Sequence, residues 1–279
     1  MKKRLISISV GLVLLAFLMW RIDTATVNVA FAVIGVIGVF EIIRALGLDD
    51  NKLWVILFGL LHVWNMLLLP EEHYFIYALL FAMFCLVMFL KTRHYTFKEA
   101  GGAFAATVML TMGLRSILVI CGESQTSWDA RFMFFMGLAL GWLCDTLAFT
   151  FGHLLGKRKL CPSISPNKTV AGAVGGVLGT PVLIALLYWW YASSAAPESV
   201  FYGKLGVEHF AFFAVLGLVG AIVGIIGDLS ASYIKRECGI KDFGNIMPGH
   251  GGVIDRLDSV LFTCTLAACA YEVWFLWFV

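Results

Sequence analysis

Charge is what this sequence lacks. Only 14% of its 279 residues are Asp, Glu, Lys or Arg, against about 25% in an ordinary soluble protein. The seven cysteines are scattered, odd in number and form no Cys-x-x-Cys pair. That excludes a disulfide scaffold and gives no zinc site. A net charge of +2 offers nothing to nucleic acid, so no nucleic-acid partner is expected. Internal repeats and low-complexity stretches are missing too, and with them the paired halves of many transporters. What fills the chain instead is apolar: 61% hydrophobic residues and a mean hydropathy of +0.90. A soluble domain of this size has no room to bury so much. The apolar runs are continuous rather than alternating, which excludes a membrane β-barrel. The expected fold class is an all-α polytopic membrane protein.

Apolar runs fall near residues 5–20, 25–43, 53–70, 73–90, 101–120, 132–155, 170–192, 208–230 and 257–279. Each is about long enough to cross a bilayer, so nine transmembrane helices are expected. The N-terminal run resembles a secretory leader, but no small-x-small cleavage site follows it, and it is read as an uncleaved first span. With the N-terminus cytoplasmic, 16 of the 20 basic residues lie in inner connections and only Arg21, Arg131 and Lys204 in outer ones. That asymmetry obeys the positive-inside rule and puts the C-terminus outside the cytoplasm. The very short acidic connection Pro70–His73 suits an outer turn. Two regions follow: residues 1–130 as N-terminal transmembrane helices, and 131–279 as a catalytic transmembrane region with cytoplasmic loops 156–169 and 231–256.

Those two loops alone mix acids, bases, Gly, Pro, Ser and His. At the end of the eighth run, Asp228, Ser232 and Lys235 are spaced i, i+4, i+7 and share a helix face. Gly239 suits the residue just past a helix end. The stretch Lys241–Gly252 carries a helix-breaking Pro248 and four glycines, which let backbone N–H groups approach a phosphate. A new helix is expected from Val253, with Asp255 and Asp258 on one face. Carboxylates in this number suit Mg²⁺, which shares oxygen ligands with substrate phosphates. Lys235, Arg236, Lys241 and Arg256 supply phosphate donors. The same composition would also suit a solvated loop beside a basic juxtamembrane patch. Asp228 weighs against that, since an acid directly after an apolar run is costly unless paired or ligating. In the other loop, Asp145 lies about three turns before Lys157. Ser165, Pro166, Asn167, Lys168 and Thr169 form a donor-rich turn leading into a Gly-rich helix. Glu41, His62, Arg115 and Glu272 also lie in or near spans. Each stands without a motif, and pairing with a partner helix or an interfacial position is expected. The Phe and Trp residues, Trp274 and Trp277 included, read as an interfacial aromatic belt.

The stretch Ser232–Asp258 resembles the signature of the phosphatidate cytidylyltransferase (CDP-diacylglycerol synthase) family. That signature runs Ser-x-apolar-Lys-Arg, then Lys-Asp-x-small, then apolar-Pro-x-His-Gly-Gly, then Asp-Arg-apolar-Asp. All fixed positions are met, with Met247 where a branched apolar residue or Phe is usual. Residues 145–176 are similar to the family's second conserved stretch. There Ala171 replaces a usual Glu and His153 a usual Arg. Residues 1–130 match only in hydrophobic character. The resemblance implies an enzyme that converts CTP and phosphatidate to CDP-diacylglycerol and pyrophosphate, in phospholipid biosynthesis. It implies a multi-pass protein of the cell (inner) membrane with its active site toward the cytoplasm. By the same resemblance, Asp228 and Asp255 are the Mg²⁺ ligands, with Asp145 and Asp258 as further candidates and K⁺ as a second cation. Lys235 is the phosphate clamp, and Asp228, Lys235, Asp255 and Asp258 form the catalytic set. Ser165, Asn167, Lys168, Ser232, Arg236, Lys241, His250, Gly251, Gly252 and Arg256 are the substrate-binding candidates. The expected partners are CTP, phosphatidate, the lipid bilayer and a second copy as a homodimer. A transporter is the rival from another class, and a CTP-dependent lipid kinase is a nearer one.

Overall fold

The computed structural model describes residues 2–22, 25–50, 52–67, 82, 96–123, 126–247, 249 and 251–279. The expected span at 73–90, the turn Pro70–His73, and the signature residues Pro248 and His250 lie outside the described residues. The helices are α1 (Lys2–Trp20), α2 (Ala25–Ala45), α3 (Lys52–Leu67), α4 (Phe97–Glu123), α5 (Ser127–Leu155), α6 (Val170–Ser194), α7 (Val207–Glu237), α8 (Ile254–Leu257) and α9 (Val260–Phe278). The strands β1 (Lys159–Cys161) and β2 (Ser165–Thr169) form the one sheet among the described residues. Eight of the nine expected runs therefore fall on helices. Six of these helices are long and apolar enough to cross a membrane: α2, α4, α5, α6, α7 and α9. The protein is an all-α polytopic membrane protein.

The described residues form two compact units. One is drawn from Met1–Gly122 with Glu237–Arg256, the other from Glu123–Arg236 with Leu257–Val279. The segment from the end of α7, Glu237–Arg256, groups with the N-terminal helices, and residues 123–130 group with the second unit.

In the first unit, α2, α3 and α4 meet through buried polar contacts. His62 bonds the Thr111 hydroxyl at 3.0 Å and the Phe31 carbonyl at 3.2 Å. Arg115 donates to the Asn65 carbonyl at 2.7 Å. Both therefore pair with neighbouring helices, as the sequence leads one to expect. In an apolar surround a polar group is tolerated only with such a partner.

In the second unit, α6 shows how one sequence serves two surfaces. Gly172, Gly176, Thr180, Ile184, Tyr188 and Ala192 recur every fourth residue and are buried. Val174, Leu178, Val182 and Leu186 have the same spacing and are exposed, a stripe suited to hydrocarbon chains. The small residues let α5 and α6 approach closely. A Cβ on Gly172 would stand 2.4 Å from the Ala148 carbonyl oxygen. Trp274 departs from expectation: it is 1% exposed and packs against Phe201 and Phe213, whereas Trp277 is 73% exposed. Burial among aromatics of α7 and of the connection before it outcompetes the interface for Trp274. Asp129 is wholly buried at the start of α5. It accepts hydrogen bonds from Ser199 Oγ at 2.6 Å, Tyr191 OH at 2.9 Å and Val200 N at 3.3 Å.

Candidate active site

The second unit gathers most of the expected chemistry at one end. Residues 157–169 fold as a hairpin rather than a simple turn. Lys159 faces Thr169, Cys161 faces Ser165, and Ile164 N closes the turn on the Cys161 carbonyl at 3.2 Å. Extended backbone suits Ser165 and Thr169 because each precedes Pro166 or a helix start. Thr169 ends the hairpin and caps α6, accepting from Gly172 N at 3.1 Å. The hairpin thus holds Lys168 at a fixed height beside α5 and α7. Its ammonium lies 2.5 Å from Asp228 Oδ2 on α7. Ser232, one turn on, donates to Asp228 Oδ1 at 3.3 Å, so the expected i, i+4 face is present. Arg236 Nε reaches the Ile164 carbonyl at 3.2 Å and ties α7 to the hairpin turn. Gly239 has φ +68°, the left-handed conformation anticipated past the helix end.

A cavity of about 590 Å³ opens among these elements, lined in part by Asp145, His153, Lys159, Asn167, Lys168, Thr169 and Asp228. His153, which departs from the family pattern, stands in its wall. Ala171 lines a separate, more apolar groove between α5 and α6. Asp145 accepts from Ser259 and feels the charges of Asp228 and Lys168. Asp258 lies in the turn between α8 and α9 and accepts from Ser259 N at 2.8 Å. Burial, then the Asp228 charge, holds its carboxyl up at about 7, partly offset by Lys235. Asp145, Asp228 and Asp258 therefore repel one another across one small region, with Lys168 and Lys235 as counter-charges. Glycine sets one of the spacings. A Cβ on Gly227 would stand 2.8 Å from the Asp258 carbonyl oxygen, so only glycine lets α7 approach that turn.

The donor set is all oxygen, which suits a hard divalent cation. Among the described residues no three His, Cys, Asp or Glu side chains are drawn close enough to hold an ion as they stand. The Lys168 ammonium supplies positive charge at Asp228 instead. The chemistry of the set fits Mg²⁺.

In the first unit, the signature loop is shaped by carboxylates. Asp255 is 8% exposed, and its Oδ2 accepts from Phe243 N at 2.8 Å and Gly252 N at 2.9 Å. Met247 N donates to the Gly251 carbonyl at 3.0 Å, closing a tight turn with Gly249 at φ +81° and Gly251 at φ +84°. The helix expected to carry Asp255 and Asp258 on one face ends at Leu257. Asp258 lies beyond it, and each acid has partners in its own unit. Lys241 and Arg256 are exposed. Glu41 on α2, expected to pair with a partner helix, instead bonds the backbone of this loop. Its contacts span more than 200 residues. A lone acid in an apolar run was the only signal for it.

The cytidylyltransferase family description matches residues 2–274. The phosphatidate cytidylyltransferase of Bacillus subtilis is 31% identical over 276 residues, covering 94% of each chain. That of Staphylococcus epidermidis is 40% identical over 136 residues, 49% of this chain and 47% of its own. That of Staphylococcus haemolyticus is 38% identical over 125 residues, 45% of this chain and 43% of its own. A match over nearly the whole length, with the signature intact from Ser232 to Asp258, carries one conclusion: the chain belongs to the cytidylyltransferase family.

Proposed function

We propose that this protein transfers the cytidylyl group of CTP to phosphatidate, releasing pyrophosphate and forming CDP-diacylglycerol. The observation that carries this reading is the end-to-end likeness to a phosphatidate cytidylyltransferase, joined to an acid and lysine cluster around a cavity of about 590 Å³. The acceptor is a phosphate monoester with a second pKa near 6. It is largely ionised at neutral pH, so no strong general base is needed. The task left to the protein is to align acceptor and α-phosphorus and to offset their charge.

Lys168 takes a phosphate oxygen when substrate enters, exchanging its partner Asp228 for the ligand. Asn167 and Thr169 on the same hairpin add uncharged donors, and Ser165 sits beside its turn. Lys235, with Ser232 one turn before it, faces the charge of Asp258. Arg236 holds the hairpin turn, and Lys241 and Arg256 offer exposed cations. Asp145, Asp228 and Asp258 would hold Mg²⁺, which when bound supplies charge neutralisation at the phosphates. K⁺ is the second cation proposed. The resemblance also names Asp255 as a ligand; within its own unit its carboxylate shapes the Phe243–Gly252 loop. The enzyme is proposed to lie in the cell (inner) membrane with this chemistry facing the cytoplasm, where CTP is available, and to work as a homodimer.

Detergent-purified protein given CTP, Mg²⁺ and phosphatidate tests the reading. Equimolar pyrophosphate and CDP-lipid are expected. Release of CDP with a phosphorylated lipid would replace it with a lipid kinase.

A further inference from the structure

Glu41 sits near the end of α2 and is 2% exposed. Its Oε1 accepts from Val253 N at 3.0 Å and its Oε2 from Ile254 N at 3.1 Å. Asp255 takes the preceding N–H, that of Gly252, at 2.9 Å. Three successive backbone donors of the signature loop are thus held by two carboxylates of the chain itself. Two glycines make room for this. A Cβ on Gly244 would stand 2.2 Å from Glu41 Oε1, and one on Gly252 would stand 2.4 Å from it. Nothing larger than glycine fits at either place while the Glu41 carboxylate stays. Two buried acids close together repel, and the donated N–H groups and the nearby Arg44 charge offset part of that cost at Glu41. Buried polar contacts of this kind favour one loop shape over others.

We propose that Glu41 is a positioning residue for cytidylyl transfer: it holds the backbone at Val253 and Ile254 from a helix remote in sequence and so sets the placement of Gly251, Gly252 and Asp255. Glu41 touches no substrate. Its effect runs through the backbone it holds, and the inference rests on the reading that this loop serves the transfer reaction.

The test compares the full-length enzyme with Glu41→Gln and Glu41→Asp, using initial rates with CTP and phosphatidate, product identification, and melting temperature in the same detergent. Gln places an N–H₂ where an oxygen accepts, so one loop donor loses its partner. Loss of a charged hydrogen bond corresponds to a fall in kcat of about tenfold to a hundredfold if it is felt at the transition state. The expected result is such a fall in Glu41→Gln, larger in kcat than in KM, at a near-unchanged melting temperature, with Glu41→Asp recovering part of it. A folded Glu41→Gln enzyme with kcat within about twofold of wild type would overturn the proposal. If Glu41→Gln aggregates, Glu41→Asp decides. Folded protein with reduced kcat supports positioning, and wild-type kcat assigns Glu41 to folding alone and overturns it. Wild-type enzyme that makes no CDP-lipid would instead sink the transfer reading itself, so the two failures are distinct.

Discussion

The Lys168 ammonium lies 2.5 Å from the Asp228 carboxylate, joining the second strand of the hairpin to the C-terminal part of α7. Both side chains are about a quarter exposed, at 23% each. A half-open ion pair of this kind contributes little to stability, about 0–1 kcal/mol. It does place a lysine and an acid together in the lining of one cavity.

Lys168→Ala should therefore leave the melting temperature within a few degrees of wild type while reducing kcat/KM for CTP or phosphatidate by more than about tenfold. Lys168→Arg keeps charge but not size, and should recover part of the loss. Steady-state kinetics with each substrate varied in turn, beside a thermal melt, separates the two effects. A large melting shift with intact kcat/KM would make the pair structural.

The acid cluster predicts a non-additive pattern. Asp145, Asp228 and Asp258 share one region and repel one another. Asp228→Asn and Asp258→Asn should each lose most turnover, and the double variant little more, because groups acting as a unit do not add. Turnover against Mg²⁺ concentration should show a higher cation requirement in each. Asp255→Asn, measured beside them, tests the alternative ligand. If it kills activity and raises the Mg²⁺ requirement while Asp258→Asn does neither, the cation belongs with Asp255.

Much of this site was legible in the sequence, for physical reasons. Asp228, Ser232 and Lys235 follow helix periodicity on an unbroken span, so their shared face was readable. Gly239 was readable because a left-handed residue past a helix end has few alternatives. The hairpin at 159–169 was not. A strand pair of three and five residues leaves no periodic signal, and Pro166 suggested a turn. The end of α8 before Asp258 was hidden as well. Local i, i+3 spacing cannot say that the helix ends at Leu257. Glu41 stood out as a lone acid, but its partners were hidden because they are backbone N–H groups more than 200 residues away, and no side-chain pattern encodes a backbone contact. Trp274 looked like its belt neighbour Trp277, since composition does not distinguish a buried indole from an interfacial one.

Asp129 offers a stability prediction apart from the chemistry. Its carboxylate satisfies Tyr191, Ser199 and Val200 together in a wholly buried place. Asp129→Ala strands two hydroxyls and an N–H, which should cost about 3–5 kcal/mol. The melting temperature in detergent should fall markedly, while kcat per folded molecule stays near wild type. An unchanged melt would contradict the assignment.

The charge asymmetry of the connections predicts topology. A reporter fused after Val279 should be extracytoplasmic, and a cysteine introduced next to Gly239 should label from the cytoplasmic side only. A cytoplasmic reporter signal would change the number of spans by one.

The most direct test is the identity of the products formed by purified wild-type protein from CTP, phosphatidate and Mg²⁺. Equimolar CDP-diacylglycerol and pyrophosphate, lost in Asp228→Asn, is the predicted result. Formation of CDP with a newly phosphorylated lipid, or no CTP-dependent product at all, would contradict it.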